Sequence, residues 1–457
     1  MSDFSNARFN SIGTQSIPKL ILQFSVPSII SMSVESLYNV VDRFFVAEEV
    51  GYLGITGITL CFPISLFIMA MSILIGIGGN ILFSLKLGQK KHRQAAMILN
   101  HSLVLLTIVS IIVFALGQIF LEPLLKVFGA SEVTLPYAKT YMSIILLGVF
   151  FQTINPGMNN FIRSMGHPKT AMFRMLIGAF CNVFFDWLFI VEFHWGIAGA
   201  AWATILSQFI SFLFIMWFFF RKSTPIKIQS RFMHLQFPFV RRILILGFPM
   251  SMMQVCNSLM NVILNRSLAT YGSESVYGGD LAISAFGVIN SIAMMIIMPL
   301  LGFVQGMQPI LGYNYGAKYY TRVKSTVNYA FILAVSFLTV AWILIQIFAP
   351  YLIQPFASEN KELQELATSS IRIFLLGLPA IGVGMICGTF FQATGKPGRS
   401  IILNMSRQVL ILIPLLLIIP NFYGLSGVFM AAPISDVLAA LLGLFLLSKE
   451  WKKMPNQ

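Results

Sequence analysis

Residues 24–46 read FSVPSIISMSVESLYNVVDRFFV, and residues 246–268 read LGFPMSMMQVCNSLMNVILNRSL. Laid over each other, Pro27 meets Pro249, while Ser36, Leu37, Asn39 and Val40 meet Ser258, Leu259, Asn261 and Val262. Each run has the length, about 20 mostly apolar residues, that crosses a bilayer as a helix. The correspondence continues outward at an offset of roughly 220 to 230 residues. Gly88 matches Gly316, Leu147 and Gly148 match Leu376 and Gly377, Gly166 and Pro168 match Gly395 and Pro397, and Gly196 and Gly199 match Gly424 and Gly427. The chain is a tandem repeat, so a reading of one half constrains the other.

Apolar runs separated by Lys, Arg, Pro and Gly punctuation predict twelve spans, near 22–46, 54–85, 96–120, 137–161, 172–192, 197–220, 243–270, 281–312, 325–348, 369–392, 400–420 and 425–447. Six spans per half is an even number, which gives both halves the same orientation. The fold class is an all-α polytopic membrane protein whose two six-helix lobes are related by a pseudo-two-fold axis along the membrane normal. Residues 1–220 form the first lobe, 221–242 a basic linker and 243–457 the second lobe.

Composition agrees. The 457 residues are 57% hydrophobic and 10% charged, where soluble proteins carry about 25% charged residues. A formal charge of +14 invites a nucleic-acid reading, but the basic residues punctuate apolar runs instead of forming one patch. They gather in alternate loops, including Lys86 to Arg93, Arg221 to Arg242, Lys318 to Lys324 and Lys449 to Lys453, while Glu48, Glu49, Glu122, Glu132, Glu274 and Asp280 lie in the others. The positive-inside rule then puts both termini in the cytoplasm and the protein in the plasma membrane, or the inner membrane of a two-membrane cell. Residues 1–19 are polar and lack a cleavable signal, so the first span is expected to direct insertion.

No GxxxxGK[ST] phosphate loop occurs, and no soluble stretch is long enough for a nucleotide-binding domain. Neither a Ser-His-Asp set nor a metal-hydrolase cluster finds an anchor among the five histidines, so the chain reads as a non-enzyme. Cys61, Cys181, Cys256 and Cys387 are scattered in apolar segments and read as small buried hydrophobes, and no cofactor is expected.

The intramembrane carboxylates carry the functional signal. Glu35, Asp42, Asp186 and Asp436 fall inside predicted spans, where an ionised Asp costs roughly 2.5 to 3.5 kcal/mol on insertion scales. Glu35 and Asp42 are two helical turns apart and share one side of the first helix. Such groups exchange protons when burial raises their pKa, or ligate Na⁺; the structural alternative is a neutralised pair such as Asp42 with Arg43.

Three further stretches, NVVDRFFVA at 39–47, FIRSMGHPKT at 161–170 and NVFFDWLFIVEFHWGIAGAAWAT at 182–204, resemble the multidrug and toxic compound extrusion family. QGMQPILGYNYGAK at 305–318 is similar to its bacterial branch that contains the staphylococcal multidrug exporter. The resemblance implies alternating access, with export of organic cations against inward H⁺ or Na⁺. It implies an ion-coupling site in the first lobe made of Asp42, Asp186, Asn159, Asn182 and Thr204, ringed by Tyr38 and Tyr141, with Na⁺ held at Asp42, Asp186 and Asn182. Pro27 matches a helix 1 proline at which that helix bends. Glu35 and Asp42 are the acids expected to meet a cationic cargo. Another branch carries acids in helices 7 and 10 of the second lobe, where this chain has Asn257, Asn261, Asn265 and Arg266 in helix 7 and no acid in the core of helix 10. The expected partners are small organic cations and the lipid bilayer, with no obligate protein partner. The alternative functions are a flippase for a lipid-linked or other amphiphilic metabolite, whose cavity would be cationic, and a non-transporting membrane scaffold or receptor.

Overall fold

The computed structural model describes residues 12–49, 52–128, 132, 134–221, 224–354 and 361–455. Among them there is no strand. The helices are α1 (Ile17–Glu49), α2 (Tyr52–Gly88), α3 (His92–Val127), α4 (Leu135–Leu147 followed by Val149–Ser164), α5 (Pro168–Asp186, prolonged by a π turn over Trp187–Glu192) and α6 (Gly196–Phe220). The second half repeats them as α7 (Phe237–Ser273), α8 (Gly279–Gly316), α9 (Tyr320–Ile353), α10 (Lys361–Phe374 followed by Leu378–Ala393), α11 (Pro397–Met405, continued through Ser406–Leu412 and Ile413–Ile418) and α12 (Pro420–Trp451). Among the described residues, ten are long and apolar enough to cross a membrane as they stand; counting the two bent pairs, α4 and α10, as one span each gives twelve.

Several helices outrun the spans read from hydropathy: α1 starts at Ile17 and α8 ends at Gly316. Hydropathy marks only the part inside the hydrocarbon, about 20 residues at 1.5 Å each, whereas the hydrogen-bonded helix continues into the polar layer. For the same reason α7 begins at Phe237, within the stretch read as linker; Pro238 sits in its first turn, where no N–H is needed. α1 runs through Pro27 as one helix, and the Pro27 carbonyl accepts from the Ser31 hydroxyl at 2.8 Å.

The repeat is physical down to single backbone torsions. The non-glycine residues in the left-handed region include Lys90 (φ 58°) and Lys318 (φ 63°), at matching turns, and Gly166, Gly196, Gly395 and Gly424 pair off in the same way. The helical bends match too. α4 bends by 55° at Gly148 and α10 by 47° at the turn ending in Gly377, the Leu-Gly pair that the two halves share. A Cβ on Gly148 would stand 2.6 Å from Ile205 of α6, and one on Gly377 would stand 2.9 Å from Pro433 of α12. Glycine is needed at both bends because each is pressed against the last helix of its own lobe.

The turns after α2, α4, α8 and α10, the start of α7 and the end of α12 lie at one end of the molecule, here termed the linker face. The lobes meet through α1 against α8 and α2 against α7. Their glycine contacts lie in the linker half of these helices. A Cβ on Gly247 would fall 1.7 Å from the Leu74 carbonyl oxygen, one on Gly78 would fall 2.1 Å from that of Ile243, and one on Gly88 would fall 2.1 Å from that of Tyr313. A Cβ on Gly302 or Gly306 of α8 would stand 2.6 Å from the backbone of Ile29 or Ser25 of α1, and the Ser25 hydroxyl donates to the Phe303 carbonyl at 3.2 Å. Within α2, Gly76 packs against Gly157, Gly78 against Gly247 and Gly79 against Ser102.

Candidate functional site

α5 carries the chemistry of the first lobe. It lies between α1 and α6 and touches the second limb of α4. Asn182 and Asp186 are four residues apart, one turn, and therefore line the same stripe of α5. Asp186 is 0% exposed and Asn182 4%. The α-helix changes to π winding directly after Asp186, over Trp187–Glu192, a local widening often associated with functional positions. Burial of an acid at such a turn in an apolar bundle is costly and needs a chemical reason.

From α4, Asn159 is also 4% exposed. The side-chain oxygens of Asn159 and Asn182 are both buried and accept no hydrogen bond from the described residues. Buried amide oxygens normally find a donor, so the oxygen of Asn182, one turn from the buried Asp186, and that of Asn159 on α4 each lack a usual partner. Oxygen donors of this kind suit a hard cation such as Na⁺. Tyr141, on the first limb of α4, packs with Phe45 of α1 and Ile58 of α2 against the cluster of Ile190 of the π turn and Ala200 of α6, which draws it to the outer end of α5. Thr204 is half-buried on α6, and its carbonyl accepts from Ser207 at 2.8 Å. The backbone of α1 at Glu35, Tyr38 and Asp42 is helical, but the side chains of these three residues lie outside the described residues. Among the described residues no three His, Cys, Asp or Glu side chains gather to hold a metal.

Five polar features escape the sequence. Asn155 donates to the side-chain oxygen of Gln208 at 2.7 Å and to its carbonyl at 2.8 Å, tying α4 to α6 inside the first lobe. Arg163, near the linker end of α4, is buried and donates to Asn160 at 3.2 Å and across the lobes to Gln305 at 3.1 Å. In the second lobe, Arg407 Nε donates to Asp436 at 2.5 Å, and Gln408 donates to Asn257. Asp436 therefore belongs to a buried ion pair between α11 and α12. At the linker face, Glu450 accepts from both Lys396 and Arg399. The fixed 29-residue separation of Arg407 and Asp436 carries no periodic signal, which is why only packing reveals the pair.

A bundle of twelve helices in two equivalent lobes, with a buried acid in each and that of the second lobe paired to Arg407, is the architecture of a multi-pass membrane transporter. The MatE family model matches residues 27–188 and 249–418, one match in each lobe, and the chain belongs to that family. It is similar to the multidrug export protein MepA of Staphylococcus saprophyticus, 26% identical over 436 residues that cover 94% of each chain. The MepA of Staphylococcus haemolyticus is 25% identical over 432 residues, covering 94% of this chain and 93% of that one. Among solved structures, one described as the outward-facing conformation of a multidrug resistance MATE family transporter of the MOP superfamily superposes with a TM-score of 0.90 at 26% identity, covering 97% of this chain and 98% of the other.

Proposed function

We propose that the protein is a secondary active multidrug exporter of the plasma membrane, which expels organic cations in exchange for inward H⁺ or Na⁺. The observation that carries this reading is the buried Asp186 with the orphaned oxygens of Asn182 and Asn159. Asp42, Thr204, Tyr38 and Tyr141 complete the coupling site in this reading, with Glu35 and Asp42 of α1 meeting the cargo. A cation and a drug then compete for the same lobe: occupancy by the ion favours one shape of α1, with Pro27 as its flexible point, and occupancy by the cargo favours the other. Residues 1–220 and 243–457 are the rocking units and 221–242 their linker.

With the linker face in the cytoplasm, the glycine contacts around Gly78, Gly247 and Gly306 close the cytoplasmic side in this reading. Similarity to multidrug exporters of staphylococci supports the cargo class, and the acid-bearing first lobe favours cationic members of it.

Purified protein in liposomes, loaded with a fluorescent organic cation, tests this. Transport under an imposed proton or Na⁺ gradient, abolished by Asp186→Asn and by Asp42→Asn, is the expected outcome and names the coupling ion. No response to either gradient, with tight binding of a polyprenyl phosphate, would overturn it in favour of a lipid-linked cargo.

A further inference from the structure

The segment that precedes each lobe's first helix is fastened to the opposite lobe, or to the seam beside it. Ahead of α1, Ile12 is 1% exposed and packs into the core. Its carbonyl accepts from Arg322 Nη2 of α9 at 3.1 Å and from Asn314 of α8 at 3.3 Å, and the Gln15 carbonyl accepts from the same Arg322 nitrogen at 2.6 Å. Arg322 Nε donates to the Asn314 oxygen at 3.0 Å, which fixes the fork that grips the two carbonyls. Ahead of α7, Ile226 is 3% exposed and is likewise a core residue. The Gln229 N–H donates to the Asn100 oxygen of α3 at 2.9 Å, and the Gln236 N–H donates to His101 Nε2 of the same helix at 3.0 Å. His101 meets the Phe239 ring of α7 edge-on, with centroids 5.8 Å apart.

The two fastenings are counterparts under the repeat. α3 and α9 are equivalent helices, and each grips the backbone of the chain entering the other lobe. Both use buried side chains, Asn100, His101 and Asn314 being fully enclosed. Both bond to backbone atoms, so they depend on the segment's path and not on its side chains. Both lie at the linker face, next to the glycine seam between α1 and α8 and between α2 and α7. A lobe cannot swing away at this face while the start of its first helix stays on its neighbour.

We propose that these two reciprocal straps latch the linker face shut, and that both release before the lobes part there. The inference rests on the alternating-access reading above and adds the device that sets the resting balance between its two states. Arg322 and Asn314 form the latch for the N-terminal strap; Asn100 and His101 form the latch for the linker strap. These are positioning residues, distant from Asp186 and Asn182.

Spin labels on Lys169→Cys and Gly398→Cys, equivalent exposed positions at the linker ends of α5 and α11, report the separation of the lobes in lipid nanodiscs after the four native cysteines are replaced. Arg322→Gln is expected to raise the ratio of the long-distance to the short-distance population about tenfold, since hydrogen bonds from a charged donor are lost only from the closed state. A chain lacking residues 2–15 removes the strap while leaving Arg322 in place, and Asn100→Ala loosens the other strap. Both are expected to shift the distribution in the same direction, with Asp186 and its neighbours untouched. Should Arg322→Gln fail to fold, the truncated chain and Asn100→Ala decide the matter. Folded variants whose distances match the parent, in a parent that itself shows two populations, would overturn the straps alone. A parent with one distance under every ion and drug condition would overturn the rocking motion on which they depend.

Discussion

Arg163 of the first lobe donates to the side-chain oxygen of Gln305 of the second across 3.1 Å, so a buried guanidinium is held by a neutral partner at the junction of the lobes. A buried charge satisfied only by amides is less stable than one facing a carboxylate. Gln305→Glu is therefore expected to raise the melting temperature of the detergent-solubilised protein and to slow the opening of the linker face. Gln305→Ala is expected to lower stability by about 1 to 3 kcal/mol, because the guanidinium loses an acceptor. A melting temperature lowered equally by both changes would refute the assignment.

The pair between Arg407 and Asp436 holds α11 to α12 while its basic end is partly exposed, 36% against 4% for the acid. Asp436→Asn is expected to cost about 2 to 3 kcal/mol, toward the low end for a buried pair because solvent screens Arg407 in part. Adding Arg407→Gln is expected to restore part of that loss. Thermal unfolding of the two single variants and the double variant measures the coupling.

At the seam, a methyl group on Gly247 has no room, with the Leu74 carbonyl oxygen 1.7 Å from where it would stand. Gly247→Ala is expected to push α2 from α7 and to expose the linker face to water-soluble thiol reagents directed at an engineered cysteine there. Overpacking of this kind costs about 1 to 3 kcal/mol. Gly287→Ala, on α8 with nothing within 4 Å, is the control and should change neither stability nor labelling.

For the ion site, the expected signature is a melting temperature that rises with Na⁺ or with proton concentration, since a ligand that binds only the folded state stabilises it. Replacing one orphaned acceptor, as in Asn182→Leu, should flatten that dependence while leaving the fold intact. A dependence unchanged from the parent would remove Asn182 from the site.

Much of this architecture is legible in the sequence because the membrane imposes a simple code. Runs such as 24–46 must be helical where water is absent, and the matching Leu-Gly pairs at 147–148 and 376–377 mark equivalent places. Asn182 and Asp186 stand out as polar residues one turn apart in an apolar run, and both are buried. What those residues are for could be read only through resemblance. Hydropathy has no azimuth, so it could not say that Arg163 turns inward to Gln305, or that Arg407 reaches Asp436. Neither the bends of α4 and α10 nor the π turn after Asp186 leaves a mark in hydrophobic periodicity. The grip of Arg322 on Ile12 and Gln15 is invisible for a different reason: it bonds to carbonyl groups, which every residue possesses.

The left-handed turns at Lys90 and Lys318 have a consequence for how such a molecule came to be. Two halves that keep the same backbone idiosyncrasy descend from one ancestral unit that was copied and joined. At a shift of 229 residues the positions of Asn182 and Asp186 are held in the second half by Ile411 and Leu415, and the buried acid of that half is Asp436, paired with Arg407. Inheritance preserved the frame and let the contents diverge, so that the two siblings share a backbone but not the polar groups they enclose.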